Sequence, residues 1–99
     1  MSDGGGPVAR ALVLDPADNV AVATVALADG ERVDVGTARV TLTDAIPMGH
    51  KFALTAIPLD GHVLKYGEVI GVAIRDIPVG GHVHVHNVLS ARLPGDAER

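Results

Sequence analysis

Cysteine and tryptophan are absent, and phenylalanine and tyrosine occur once each. The first absence excludes a disulfide framework and any thiolate metal site. The second leaves the core to Val, Ala, Leu and Ile, although the hydrophobic share still reaches 47%. No apolar run approaches the roughly 20 residues of a membrane-crossing helix, so no membrane partner is expected. Positive charge is also scarce. Eight Lys and Arg stand against twelve Asp and Glu, a net charge of −4, and nothing forms the basic stripe that nucleic-acid binding requires. The opening Met1-Ser2-Asp3-Gly4-Gly5-Gly6 lacks the basic and apolar regions of a signal peptide, which makes the cytoplasm the expected compartment.

What is present points to an all-β domain. Twelve glycines and six prolines are scattered between short apolar runs, the pattern of short strands joined by many turns. Ninety-nine residues suffice for one small domain. It is expected over residues 10–89, between a flexible leader at 1–9 and a polar tail at 90–99.

Strands are expected over Arg10–Leu14, Arg32–Val35, Ala38–Thr43, Lys51–Thr55, His62–Tyr66 and Val69–Ile74. In Ala38–Thr43 the alternation is clean, with Ala38, Val40 and Leu42 on one face and Arg39, Thr41 and Thr43 on the other. Only Gly67-Glu68 separates the last two strands, which predicts a hairpin. Asp18–Ala28 stays ambiguous. Asp15-Pro16 suits a helix start, whereas Val20, Val22 and Thr24 keep strand spacing and favour a sheet.

A turn device recurs. Leu27-Ala28-Asp29-Gly30-Glu31-Arg32-Val33, Ile57-Pro58-Leu59-Asp60-Gly61-His62-Val63 and Ile77-Pro78-Val79-Gly80-Gly81-His82-Val83 each place an aliphatic anchor before a Gly/Asp turn that launches a strand. The spacings differ, so this is not a solenoid repeat.

The sharpest chemical signal is His82-Val83-His84-Val85-His86-Asn87. Read as a strand, it sets His82, His84 and His86 in one row and Val83, Val85 and Asn87 on the reverse. Neutral imidazole is the commonest metal ligand among side chains. At about 3.3 Å per residue, His82 and His86 lie roughly 13 Å apart, so two of the row meet on one ion more easily than three. Further ligands would come from elsewhere in the fold or from another chain. The competing reading is a solvated or hydrogen-bonded histidine row at an edge or interface. Two more groups carry chemistry on the same terms. His50 and Lys51, after the Met48-Gly49 turn, suit an anionic substrate or acid–base work, or a solvated turn. Lys65, Tyr66 and Glu68 crowd one hairpin tip, as a site or as a salt-bridged turn. His62 alone carries little.

Ile46-Pro47-Met48-Gly49-His50-Lys51-Phe52-Ala53-Leu54, then Lys65-Tyr66-Gly67-Glu68-Val69-Ile70-Gly71, then His82-Val83-His84-Val85-His86-Asn87 occur in order. Together they resemble the SAF-type N-terminal domain of the altronate/galactarate dehydratase family, over about Ala11 to Val88. Departures fall at Met48, Pro58, Val72 and Ile74, none of them a group that does chemistry. The resemblance implies a β-clip fold of short strands and folded-over hairpins, and it decides Asp18–Ala28 for a strand. It also implies a small subunit that acts with a large catalytic dehydratase subunit, and it leaves room for self-association. The implied reaction removes water from a sugar acid such as altronate or galactarate to give a 2-keto-3-deoxy acid. A related two-subunit branch eliminates sulfite from 3-sulfolactate. The implied cofactor is a divalent metal, Fe2+ or Mn2+, with His82, His84 and His86 as ligands or as an acid for the leaving group. His50 and Lys51 would hold the carboxylate, with Lys65 and Glu68 as further catalytic groups. The rival is a non-catalytic ligand-binding or assembly module.

Overall fold

Val20 and Val22 prefer a pleated sheet, and the chain there is strand. In the computed structural model, which describes residues 9–90, nine strands follow in order: β1 Ala11–Leu12, β2 Val20–Ala23, β3 Arg32–Val35, β4 Ala38–Thr41, β5 Lys51–Ala53, β6 His62–Lys65, β7 Glu68–Ala73, β8 His82–Val83 and β9 Val88–Ser90. Every pairing is antiparallel. They form a four-stranded sheet (β1-β2-β5-β8), a three-stranded sheet (β9-β7-β6) and the β3-β4 hairpin. The described residues contain no helix, and none is therefore long and apolar enough to cross a membrane. The all-β expectation holds.

Asp15-Pro16 starts a turn instead of a helix. Asp15 accepts the Ala17 N–H on its side chain and the Asp18 N–H on its carbonyl, a local bonding pattern that competes with helix formation. Several strands are shorter than the sequence suggests, because the backbone leaves each ladder at the next turn. The last strand runs through Ser90, one residue past the expected end of the domain. The expected leader and tail otherwise lie outside the described residues.

The turn device organises the fold. Leu27 and Ile46 exchange both backbone hydrogen bonds, and so do Ile57 and Ile77. All four anchors are buried. After each comes a turn closed by Glu31 N–H to Ala28, His50 N–H to Pro47, Gly61 N–H to Pro58 or Gly81 N–H to Pro78. Its third residue has positive φ: Gly30, Gly49, Asp60 and Gly80, at 70–83°. Three of these turns match the sequence pattern. The fourth, Ile46-Pro47-Met48-Gly49, is the same device and sets His50 at the head of β5.

The β6–β7 hairpin turns at Tyr66-Gly67, one residue earlier than expected. Both residues have positive φ, 57° and 74°, as a two-residue turn matched to strand twist requires. The carboxylate of Asp18, only 8% exposed, accepts the N–H of Tyr66 at 3.0 Å and of Gly67 at 2.8 Å. Two apolar clusters flank the β2-β5 pair. Ala21, Ala23 and Phe52 face one with Leu27 and Ile46, while Val20 and Ala53 face the other with Ile57 and Ile77. Strands covered on both faces explain why small alanines stand beside the single phenylalanine.

Candidate functional site

Register brings the histidines together. Strand β5 pairs with β8 so that Phe52 stands opposite His82 and Lys51 opposite Val83. One further step along that ladder sets His50 against His84, and residues opposite one another share a face.

Beyond Val83 the expected continuous histidine strand does not form. Residues 84–87 bend through a turn, in which the His84 carbonyl accepts the N–H of Asn87 at 3.1 Å and of Val88 at 3.0 Å. The chain then enters β9 in the other sheet, where Val88 pairs with Ala73. The segment is thus a crossover between sheets, and its side chains do not alternate. Val83 is buried as expected, but Val85 is 79% exposed rather than in the core. Asn87 is buried, and its side chain is spent on this turn.

The crossover groups His82 and His84 with His50. His50 Nδ1 lies 2.9 Å from His82 Nε2. Ring centroids are 4.3 Å apart for His50 and His84, 5.1 Å for His50 and His82, and 5.4 Å for His82 and His84, with planes within 20°. One ring nitrogen from each lies within 4.8 Å of the others. His86 is exposed, its ring tilted 35° to that of His82 at 5.2 Å, and it stands outside this nitrogen group. Burial pushes the His82 pKa down, and the neighbouring His50, His86 and His84 push the same way; Asp44 opposes them. The Asp44 carboxylate also accepts the His82 backbone N–H at 3.0 Å. An imidazole held neutral keeps the lone pair a metal needs.

Lys51 lines a cavity of about 210 Å³ with His84, Ser90 and the aliphatic walls of Val63, Ile70, Val83, Val85 and Val88. Burial, and then the charge of Lys65, holds its ammonium below the usual lysine range. Among the described residues the ion pairs are Arg10–Glu31 and Arg39–Asp34, so neither Lys51 nor Lys65 has a carboxylate partner there. The Lys65 ammonium sits 5.3 Å from the centroid of the Tyr66 ring. Glu68 pairs with Lys65 across the hairpin but is exposed and does not line the cavity. His62 is exposed on β6. His84 is the residue common to the imidazole group and the cavity.

Three contributors were not singled out from the sequence: Asn87, Asp44 and Ser90. The signal for Asn87 was its position three residues after His84, where an Asn side chain readily bonds nearby backbone. Asp44 comes from a remote segment and Ser90 from the strand that follows the turn, and neither carried a local signal.

Three imidazole nitrogens form a borderline donor set that suits iron or zinc better than the harder manganese, which prefers oxygen ligands. With metal–nitrogen bonds of about 2 Å, separations of up to 4.8 Å close by small ring movements. The residues present therefore fit a divalent transition metal.

The family model described as the altronate/galactarate dehydratase SAF domain matches residues 9–91. The chain is 53% identical over 70 residues to the altronate dehydratase of Escherichia coli (strain K12), covering 71% of this chain and 14% of that protein. It is 38% identical over 90 residues to the galactarate dehydratase (L-threo-forming) of the same organism, covering 89% of this chain and 17% of that one. The (2R)-sulfolactate sulfo-lyase subunit alpha of Paracoccus pantotrophus is 48% identical over 54 residues, covering 54% of this chain and 81% of that subunit. This chain thus spans about one seventh of the altronate dehydratase but most of the sulfo-lyase subunit. With the family model matched over residues 9–91, most of the sequence, the chain belongs to the family of altronate/galactarate dehydratase SAF domains.

Proposed function

We propose that this chain is the small subunit of a metal-dependent hydro-lyase that dehydrates a sugar acid to a 2-keto-3-deoxy acid, acting in the cytoplasm with a separate large catalytic subunit. The observation that carries this reading is the meeting of His50, His82 and His84 beside a cavity that holds the half-buried Lys51. The names of the relatives, two sugar-acid dehydratases and a sulfo-lyase subunit, support the reaction class and the need for a second subunit.

In this reading His50, His82 and His84 hold one divalent metal, iron in preference to manganese on the donor set. When bound, the metal would supply Lewis-acid stabilisation of the charge that develops as a base of the large subunit takes the proton α to the carboxylate. Lys51 provides the counter-charge for the carboxylate, with Lys65 adding to the field. His50 belongs with the metal ligands, because neighbours on a strand point apart and it does not line the cavity. His86, exposed beside the His82 ring, is the candidate acid for the departing hydroxyl. Glu68 remains a group at the hairpin tip for the large subunit to cover. The aliphatic cavity has too few polar groups to satisfy a polyhydroxylated acid by itself, which is why the large subunit must supply them.

A second reading, supported by the 81% coverage of the sulfo-lyase subunit, has sulfite as the leaving group from 3-sulfolactate. A non-catalytic ligand-binding or assembly role is the third. Affinity purification of the chain from its native cells, followed by assay of the complex with iron on altronate, galactarate and 3-sulfolactate, separates them. Turnover of a hydroxy acid that falls at least about 100-fold in His84→Ala supports the hydro-lyase. Sulfite release selects the second reading. A chain that returns without a large partner, or a complex indifferent to His84→Ala, selects the third.

A further inference from the structure

Asn87 is 5% exposed, and both ends of its amide are bonded to residues that carry imidazoles of the nitrogen group. Its Oδ1 accepts the His84 backbone N–H at 2.9 Å, and its Nδ2 donates to the His82 carbonyl at 2.7 Å. Its own N–H donates to the His84 carbonyl at 3.1 Å. These bonds touch no ring atom. They fix instead the backbone from which His82 and His84 project, at the place where the strand gives way to the turn.

We propose that Asn87 is a positioning residue that clips the backbone of His82 to that of His84 and so sets their nitrogens at the spacing one divalent cation requires; this rests on the metal-binding reading above. An extended strand would separate the two Cα atoms by about 6.6 Å and keep both rings in an open row. Here the chain bends at His84, and the His82 and His84 rings stack with centroids 5.4 Å apart, within 5.1 Å and 4.3 Å of the His50 ring. Only an amide of this length offers an acceptor and a donor at once. A carboxylate in its place would set oxygen against the His82 carbonyl, and a serine hydroxyl is too short to span both groups. Outer groups that orient metal ligands typically change affinity by about 10–100-fold when removed.

The test is a titration of the purified chain with Co2+, following its visible absorption, for wild type, Asn87→Ala, Asn87→Ser and Asp18→Ala, with each apo-protein's melting temperature recorded. Asp18→Ala weakens the fold at the Tyr66-Gly67 turn, whose bonds to Asp18 involve none of His50, His82 and His84, and serves as the purely structural control. The expected result is a loss of about 10–100-fold in Co2+ affinity, with altered absorption bands, for Asn87→Ala. Asn87→Ser, which keeps one bond, falls in between, and Asp18→Ala binds as wild type at a lower melting temperature. Should Asn87→Ala fail to fold, Asn87→Ser carries the comparison. Wild-type affinity and spectrum in the Asn87 variants overturn the clip while leaving the metal reading intact. A wild-type chain that binds no Co2+ overturns both.

Discussion

His50 and His82, 32 residues apart in the chain, meet with Nδ1 2.9 Å from Nε2. At that distance one nitrogen carries the hydrogen and the other accepts it. Protonating both would aim two N–H groups and two positive charges at each other. A ring nitrogen of each also lies within 4.8 Å of one on His84.

Metal should stabilise the fold through His50 and not through His86. Excess Fe2+ under anaerobic conditions, or Co2+ in its place, is expected to raise the melting temperature on the order of 10 °C at about a hundredfold excess over Kd. A chelator should reverse the shift. His50→Ala should abolish it, whereas His86→Ala should keep it. A scan in which the two variants exchange behaviour would return His86 to the ligand set.

Gly80 and Gly30 share a positive φ near 83° but differ in surroundings. A Cβ on Gly80 would fall on the Thr41 carbonyl and within 2.9 Å of Leu42 Cα, while one on Gly30 meets nothing within 4 Å. Gly30→Ala should cost about 1 kcal/mol, the left-handed backbone penalty alone. Gly80→Ala should cost at least about 3 kcal/mol once overpacking is added. Equal urea midpoints for the two variants would contradict this.

Asp18→Ala removes both acceptors of the Tyr66-Gly67 turn. A loss of about 2 kcal/mol is expected in urea unfolding. Tyr66→Asn, which suits the left-handed conformation better, should gain up to about 1 kcal/mol.

Glu31 gives a pH signature. Its bond from the Ala28 N–H, and then Arg10, hold its carboxyl below the ordinary range. A depressed folded value stabilises above the unfolded pKa of about 4.3 and loses that contribution as pH falls through the folded value. Glu31→Gln should therefore melt below wild type at neutral pH, and the two curves should converge in acid. A gap independent of pH would mean the carboxylate charge plays no part.

Much of the strand order was legible in the sequence because turns and β-branched runs are local signals. Arg32–Val35 and the β6–β7 hairpin were placed nearly to the residue. The histidine segment was misread for a related reason. Alternation in His82–Asn87 satisfies a strand, but the turn depends on what Asn87 bonds and on β9 leaving for another sheet. The partnership of His50 with His84 is a matter of register between β5 and β8, which a pattern within one segment cannot express. The fourth turn device was hidden because Phe52 stands where the others have valine and His50 where two of them have glycine, although the backbone there follows the same path.

The Leu27–Ile46 and Ile57–Ile77 bridges each close a loop of about twenty residues with two backbone hydrogen bonds between buried anchors. In many small extracellular domains such loops are closed by covalent crosslinks. Here the clasps are apolar and reversible, so no thiol reductant can open them. Each can also re-form at once after a thermal breath, without waiting for an oxidant.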